Sequence, residues 1–417
     1  MNELVTAPAD FCYPPGLISV DQALDFILGR ARVVANDELL DLVDATGRIL
    51  RENLFSPLDV PGYDNSQMDG YAVRAKDVTT AGVCLPVSQR IPAGRPGPTL
   101  QPGTAARIFT GAVIPAGADT VVMQENCQPQ GDSVILKGPL EVGLNIRPRG
   151  NDIRAGDPVL RAGERLTPPG VGLLASLGLR QLSVTRRLRV AIFSSGDELK
   201  EPGQSLAVGE IYNSNRYTLT ALLAGLGCDE LDLGQVADTP GATEAALREA
   251  SANADVVIGS GGMSVGEEDH VKGALERLGT LEMWKVAVKP GKPLAYGRIG
   301  GADFLGLPGN PVSTLVTFCL FVRPFLLKRM GARRVAPHPQ PVRAGFDWPQ
   351  PRNRREYPRA RIRTSGDGLP IAELHPRQSS EVLSSTVWAE GLVEIPEGRV
   401  IQQGQLISFL SFTELFH

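Results

Sequence analysis

At five places in the second half of the chain, glycines or charged side chains directly follow an apolar run. They are Ser194-Ser-Gly-Asp-Glu198, then Asp238, then Gly259-Ser-Gly-Gly-Met-Ser-Val-Gly266 continuing through Glu267-Glu-Asp269, then Lys289-Pro-Gly-Lys292, and finally Leu307-Pro-Gly-Asn-Pro311 with Ser313 just beyond. Glycines such as Gly261 and Gly262 let backbone N–H groups approach a phosphate, and helix N-termini add partial positive charge. Lys289 and Lys292 would add two full charges. Glu198, Asp238 and Asp269 put carboxylates beside them, and carboxylates next to phosphate repel unless a cation intervenes. A Mg²⁺ held by one or two of them is the economical expectation. Together these types describe a nucleotide-phosphate site with a hard metal.

Each stretch taken singly has a plainer reading. The glycine run can be a tight strand–helix turn, Asp269 a helix-start acid favoured by the dipole, the lysines solvated charges, and 308–311 a rigid turn. The elements that position them decide between the readings. Apolar runs at 188–193, 231–236, 255–259, 281–288 and 304–307 mostly alternate with helical patterns at 217–226, 243–252, 269–278 and 311–330. That rhythm predicts an α/β domain, a doubly wound and mainly parallel sheet covered on both faces. Ligands of such sheets bind outside the carboxyl ends of the strands, where all five stretches fall. Glu198, Asp238, Asp269 and Lys289 are therefore expected to line one cleft, with Gly261 and Gly262 beneath it.

Ahead of this domain, Ser19 and Gln22 have capping-box spacing, and Val20, Ala23, Leu24, Ile27 and Leu28 share one helical face. Short strand-like runs (106–109, 120–123) among frequent Gly and Pro predict a β-rich domain inserted into a discontinuous helical one. The expected divisions are 15–55 with 150–186 (helical), 56–149 (inserted, β-rich), 187–333 (α/β) and 334–417 (C-terminal, β). In the inserted part, Asn65-Ser-Gln-Met-Asp-Gly-Tyr-Ala72 and Thr110-Gly-Ala-Val-Ile-Pro-Ala-Gly-Ala-Asp119 stand out. Composition alone would read Asp69-Gly70 as a hairpin turn and Thr110-Gly111 as a strand end.

Composition narrows the function classes. With 42 basic and 46 acidic residues in 417, the net charge of −4 argues against a nucleic-acid binder. Five scattered cysteines without a CxxC pair, and only four histidines, argue against a zinc site or a disulfide framework and fit a reducing cytoplasm. Residues 1–13 lack an apolar signal core, and the most apolar run, 315–327, is broken by Arg323 and too short to cross a bilayer. A soluble protein without a membrane partner is expected.

At these motifs the sequence resembles the MoeA-type molybdopterin molybdenumtransferases, whose relatives include the E domain of gephyrin. The resemblance spans nearly the whole chain. It is carried by SQMDGYA from Ser66, TGAVIPAGADTVV from Thr110, RGNDI from Arg149, SSGDEL from Ser194, GGMSVGEEDHVK from Gly261, VKPGKPLAYG from Val288 and LPGNPVS from Leu307. RREYPRARI from Arg354 and QSSEVLSSTVWAEGLVEIPEG from Gln378 extend it. It implies a four-part protomer, an elongated homodimer, and insertion of molybdenum from molybdate into adenylylated molybdopterin, with release of AMP and assistance from Mg²⁺.

By the same resemblance, Asp69, Thr110 and Asp152 match positions tied to activity outside the α/β domain. Glu198, Asp238 and Asp269 match its acidic rim, with Asp238 and Asp269 handling metal or molybdate. Ser195, Gly261, Gly262, Ser264, Lys289 and Lys292 match cofactor, phosphate or oxyanion binders. Pro308 and Pro311 shape the last loop, and Arg355 and Ser380 are the matches in the tail. Ser195 stands where the family more often has Thr, which keeps the hydroxyl, and Ala389-Glu-Gly391 replaces a commoner Ala-Asn-Gly or Ala-Asp-Gly. Arg352, Arg354, Arg355, Arg359, Arg361 and Arg363 read either as a solvated strand face or as a guide for anionic substrate. In the homodimer the inserted domain of one protomer is expected to face the α/β and C-terminal domains of the other. A non-catalytic scaffold and a molybdopterin adenylyltransferase are the competing readings, and such an adenylyltransferase is also an expected partner.

Overall fold

In Arg189–Ser195 (β2) every residue after the first is buried, and successive side chains enter different cores. Val190 and Ile192 pack with the cluster on one face of the sheet, Ala191 and Phe193 with the cluster on the other. Val256–Ser260 (β4) and Ala302–Leu307 (β7) divide in the same way, as strands buried on both faces must. With Leu17–Ile18 (β1), Asp229–Val236 (β3), Gly279–Val286 (β5) and Pro293–Ile299 (β6) they form a seven-stranded sheet of order β1-β5-β6-β7-β4-β2-β3. In this computed structural model, residues 4–6, 13, 15–34, 36–261, 270–364, 366 and 368–417 are described.

The sheet is mainly parallel, as the alternation predicts. The exception is β6, which pairs antiparallel with both β5 and β7 and was not among the expected strands. It opens on Pro293 and carries Gly297 at its middle, both poor strand signals. Gly297 is required there, because a Cβ would come within 2.4 Å of the Thr280 carbonyl oxygen on β5.

Helices cover both faces. Val20–Arg30 (α1) begins with the expected capping box, Ser19 Oγ accepting from Gln22 N at 2.9 Å while Gln22 Oε1 accepts from Ser19 N at 3.0 Å. Ser214–Leu226 (α2) buries Leu219, Leu222, Leu223 and Leu226 in the same core as α1. Pro240–Asn253 (α3) and His270–Leu278 (α4) bury Leu247, Ala250, Val271, Ala274 and Leu275 in the opposite one. Pro311–Arg329 (α5), interrupted by a π-helical turn at Phe318–Val322, follows the helical pattern expected at 311–330. Its 19 residues have the length and apolarity of a membrane span, yet 83% of the apolar window is buried, which identifies a core helix. Leu410, Phe412 and Leu415 complete the core around it, and Arg323 Nη2 donates to the His417 carbonyl at 2.8 Å.

These elements belong to one compact unit (Met1–Arg51, Gly163–Thr167, Gln181–His417). That unit also holds a closed barrel of Gln340–Ala344 (β8), Arg359–Thr364 (β9), Pro370–Leu374 (β10), Gly391–Glu394 (β11) and Leu406–Ser411 (β12), in the order β8-β10-β9-β11-β12. The second unit (Glu52–Ala162, Pro168–Arg180) is built on a six-stranded sheet. Its central strands Gly70–Val73 and Ala105–Ile108 pair antiparallel, and Thr120–Met123 lies along the outer side of the first.

An ionic cluster ties the segment before β9 to α1. Arg355 Nη2 lies 2.7 Å from Asp21 Oδ2, Nε 3.0 Å from Glu397 Oε2, and Nη1 3.3 Å from Glu394 Oε1. Burial works against this guanidinium's charge, but Asp21, Tyr357, Glu394 and Glu397 outweigh it and hold its pKa above the ordinary value. Glu397 has no exposed side-chain surface and also accepts from Tyr13 OH at 3.0 Å. Burial and the Glu397 carboxylate push the Tyr13 phenol up to about 12. Removing one partner of such a group leaves an uncompensated buried charge. Arg355→Met is expected to cost about 3–5 kcal/mol in urea unfolding, with partial recovery when Glu397→Gln is added. A loss below about 1 kcal/mol would mean that the cluster does not hold these elements together.

Candidate functional site

Register brings the strand ends to one level. Ser194 on β2 pairs with Ser260 on β4, which pairs with Leu307 on β7, so all three chains leave the sheet together. Ser195 pairs with Val236 on β3, and Asp238 follows two residues later. The chain then turns sharply. Gly261 has φ +83°, and a Cβ on it would lie 2.4 Å from the Ser195 carbonyl oxygen, so only glycine fits.

Above this level opens a cleft of about 680 Å³. Of the residues expected from sequence, Ser195, Glu198, Asp238, Gly261, Lys289, Lys292, Pro308 and Ser380 line it. Pro311 does not; it lines an adjoining pocket. Gly262, Ser264 and Asp269 lie outside the described residues.

The cationic side is built by an unexpected pairing. Val288–Lys289 runs parallel to Arg355–Glu356, which brings the preceding residue, Arg354, to the cleft wall. Arg355, the residue expected there, instead serves the ionic cluster described above. The reason is local: neighbouring side chains on an extended segment point to opposite sides. Lys289 Nζ stands 3.4 Å from Oε1 of the buried Glu356, whereas Lys292 is exposed. The first turn of α5 also lines the cleft through Ser313, and the helix dipole adds positive potential there. Asn310 Nδ2 donates to Ser380 Oγ at 3.1 Å, and Val312 N to the Ser380 carbonyl at 3.1 Å.

The adjoining pocket, about 590 Å³, shares Ser195, Glu198, Gly261, Gly309 and Asn310 with the cleft. Its lining is mostly uncharged, and it contains Asn213 and Asn215. Asn213 caps α2 through its side-chain oxygen, which accepts from Arg216 N at 3.2 Å. Asn215 Nδ2 donates to Ser260 Oγ at 2.9 Å and to the Gly309 carbonyl at 2.7 Å. Ser195 Oγ, Asn213 Nδ2 and Asn215 Oδ1 are buried and find no hydrogen-bond partner among the described residues. Leaving such a group unpaired costs about 1–3 kcal/mol.

Glu198 and Asp238 are the described carboxylates expected to meet a metal, and both face the cleft. Among the described residues no group of three or more His, Cys, Asp or Glu could hold a metal ion. Two carboxylates suit Mg²⁺, which keeps several waters and takes remaining ligands from substrate phosphate.

In the second unit, Asp69 and Thr110 meet. Asp69 Oδ1 accepts from both Thr110 N and Thr110 Oγ1, each at 2.8 Å. Gly70 is not a turn residue; it opens a strand so close to its neighbour that a Cβ would lie 1.9 Å from the Val122 carbonyl oxygen. Asp152 is exposed, and its N–H donates to the Val60 carbonyl at 2.9 Å.

Sequence reasoning named Arg354 only among six tail arginines that could guide an anionic substrate, and it missed Gln378, Ser379, Asn213 and Asn215 as lining residues. The asparagines left a signal, a polar Asn-Ser-Asn directly ahead of a helical pattern. The arginine-rich tail is not one solvated face, because Arg359 is buried and Arg361 pairs with Glu373 at 2.8 Å.

Comparison with known proteins agrees with this geometry. Residues 18–178 match the MoeA N-terminal region (domain I and II), 191–328 a probable molybdopterin binding domain, and 341–412 the MoeA C-terminal region (domain IV). The chain is 44% identical over 320 residues to the molybdopterin molybdenumtransferase of Haemophilus influenzae, covering 76% of this chain and 79% of the relative. It is 40% identical over 368 residues to molybdopterin molybdenumtransferase 2 of Mycobacterium tuberculosis, covering 85% and 90%. The crystal structure of the molybdopterin biosynthesis moeA protein from Pyrococcus horikoshii OT3 superposes with a TM-score of 0.82 at 27% identity, covering 95% of this chain and all of that one.

The Thr110 backbone N–H, and next its hydroxyl, hold the Asp69 carboxyl below the usual range. A depressed pKa means that this contact stabilises the protein above the unfolded value, near 3.9, and that its contribution is lost as pH falls through the lower folded value. Thr110→Val removes one of the two donors. In an NMR titration the Asp69 carboxyl should then move up towards the ordinary range. An unmoved titration would mean that the hydroxyl contact is absent in solution.

Proposed function

Since the chain belongs to the MoeA family of molybdopterin molybdenumtransferases, we propose that its cleft takes adenylylated molybdopterin and molybdate, inserts molybdenum at the dithiolene and releases AMP. The chain is a transferase of molybdenum cofactor biosynthesis. A binding scaffold or an adenylyltransferase is not favoured, since likeness to named transferases extends through the N-terminal, molybdopterin-binding and C-terminal regions alike.

The observation that carries the reading is the meeting of three cations, Lys289, Lys292 and Arg354, with two carboxylates, Glu198 and Asp238, in one cleft. The cations bind the oxyanion. Lys292 is exposed and Lys289 is partly engaged by Glu356, so Lys292 and Arg354 carry most of the uncompensated attraction. Ser195 lies on the wall common to both pockets. The adjoining pocket, lined mostly by uncharged residues that include Asn213 and Asn215, suits a heterocyclic ring. A Mg²⁺ held by Glu198 and Asp238 would neutralise phosphate oxygens. The four described cysteines are free thiols, which suits a cytoplasmic protein.

Two experiments test this. Asp238→Asn removes charge at nearly constant volume, so folding should persist while Mg²⁺-dependent AMP release falls by at least about tenfold, each factor of ten being about 1.4 kcal/mol of barrier. Full activity in Asp238→Asn and Glu198→Gln alike would make both ordinary surface acids. The second concerns assembly, which we infer to be a homodimer whose active site also draws Asp69 and Thr110 from the partner copy. Asp69→Ala and Asp238→Ala, each inactive alone, then place both lesions in one site of a mixed dimer. Random exchange makes half the dimers mixed, so co-expression should recover roughly a quarter of wild-type activity. No recovery despite demonstrated subunit exchange would assign each site to a single chain.

A further inference from the structure

The wall between the two pockets is a short loop. Gln378, Ser379 and Ser380 face the cleft, while Glu381 and Leu383 face the adjoining pocket. Its front is pinned by Asn310 and Val312 at the start of α5. Its back rests on Arg359, a β9 residue with only 1% of its surface exposed. Arg359 Nη2 donates to the Ser379 carbonyl at 3.0 Å and to the Arg377 carbonyl at 3.3 Å, and Nε donates to Ser385 Oγ at 2.9 Å. The Gln378 side chain closes the arrangement, accepting from Arg359 N and donating to the Arg359 carbonyl, both at 2.9 Å.

This is an unusual use of a cation. A buried charge is costly unless paired, yet these hydrogen bonds go to carbonyl and hydroxyl oxygens and not to a carboxylate. Burial lowers the guanidinium's pKa to about 10, with Glu381 opposing the shift. A neutral residue could fill the space at lower desolvation cost. What a planar fork adds is simultaneous reach to two carbonyls on the loop and to the Ser385 hydroxyl on the short helix that follows it.

We propose that Arg359 is a positioning residue for the bound oxyanion, fixing the 377–381 loop from behind so that Ser379 and Ser380 meet the ligand at the cleft wall. The proposal rests on the cleft being the molybdate site. Arg359 touches no ligand itself. Its loss should therefore be felt as a displaced wall, with weaker anion binding and a smaller change in turnover.

The test compares Arg359→Met and Arg359→Lys with wild type, and uses Arg363→Met, at an exposed strand position, as control. Titration with molybdate alone should show the dissociation constant rising about tenfold in Arg359→Met, the scale of one lost charge-assisted hydrogen bond. Arg359→Lys, keeping the charge but not the fork, should recover part of the loss. The KM for molybdate should rise similarly while kcat changes about twofold at most. The Val312 amide, donated to the Ser380 carbonyl, should exchange faster with deuterium in Arg359→Met and not in the control. Wild-type molybdate affinity in folded Arg359→Met would overturn the proposal. If Arg359→Met fails to fold, Arg359→Lys and Ser385→Ala carry the test, with an affinity loss of about threefold expected and unchanged affinity overturning it. Should the wild-type protein not bind molybdate, the reading of the cleft fails. The Val312 amide then decides the clamp by itself, faster exchange upholding it and unchanged exchange overturning it.

Discussion

The chemistry of this protein is confined by the burial of its central strands on both faces. Between Val190 and Phe193 on β2, along most of β4, and from Ala302 to Leu307 on β7, water reaches neither side of the sheet. An unpaired charge there would cost several kcal/mol, roughly the margin by which a domain is stable. Polar side chains gather where the strands stop. Because parallel strands in register stop together, Ser195, Asp238, Gly261 and Pro308 become neighbours. Close packing sets the remaining terms. Gly259 is flanked by Phe193 and Phe304 so tightly that a Cβ would lie 2.9 Å from the Phe193 ring.

The sheet supplies the floor of the cleft and leaves its walls to other elements. Arg354 and residues 378–380 come from the C-terminal part of the chain, and two arginines, Arg355 partly buried and Arg359 fully buried, hold that part in place by different physics. Arg355 is surrounded by carboxylates and acts through charge. Arg359 is surrounded by neutral oxygens and acts through the direction of its donors. The first fastens elements together; the second shapes a surface that a ligand touches.

Local patterns made much of this legible in the sequence. Apolar runs closing on glycine and charge placed β2, β3, β4 and β7, and the Ser19–Gln22 spacing placed the start of α1. The expected meeting of Glu198, Asp238, Lys289 and Gly261 follows from one rule about parallel sheets, which needs no knowledge of distant pairing. Non-local information was missing where expectation failed. Whether Arg354 or Arg355 meets the cleft depends on the register of Arg355–Glu356 against Val288–Lys289, and a shift of one residue exchanges them. Arg359 reads as one more surface arginine until a barrel closes around it. The asparagines drew no reading from sequence; Asn213 caps α2, and Asn215 reaches the Gly309 carbonyl only once the α2 start packs beside it.

The apolar helix α5 also has a temporal side. Synthesis runs from the N-terminus, and domains generally fold as they emerge. α5 leaves the ribosome before Leu410, Phe412 and Leu415, the residues that complete its core, have been made. During that interval the nascent chain carries a helix with the composition of a membrane segment and part of its covering absent. Such a surface invites chaperones or aggregation. The closing helical turn at Phe412–Leu415 therefore ends the chain's exposure as a client of the quality-control machinery, and a ribosome stalled within the barrel would leave a sticky product even though the sheet and its cleft floor were already encoded.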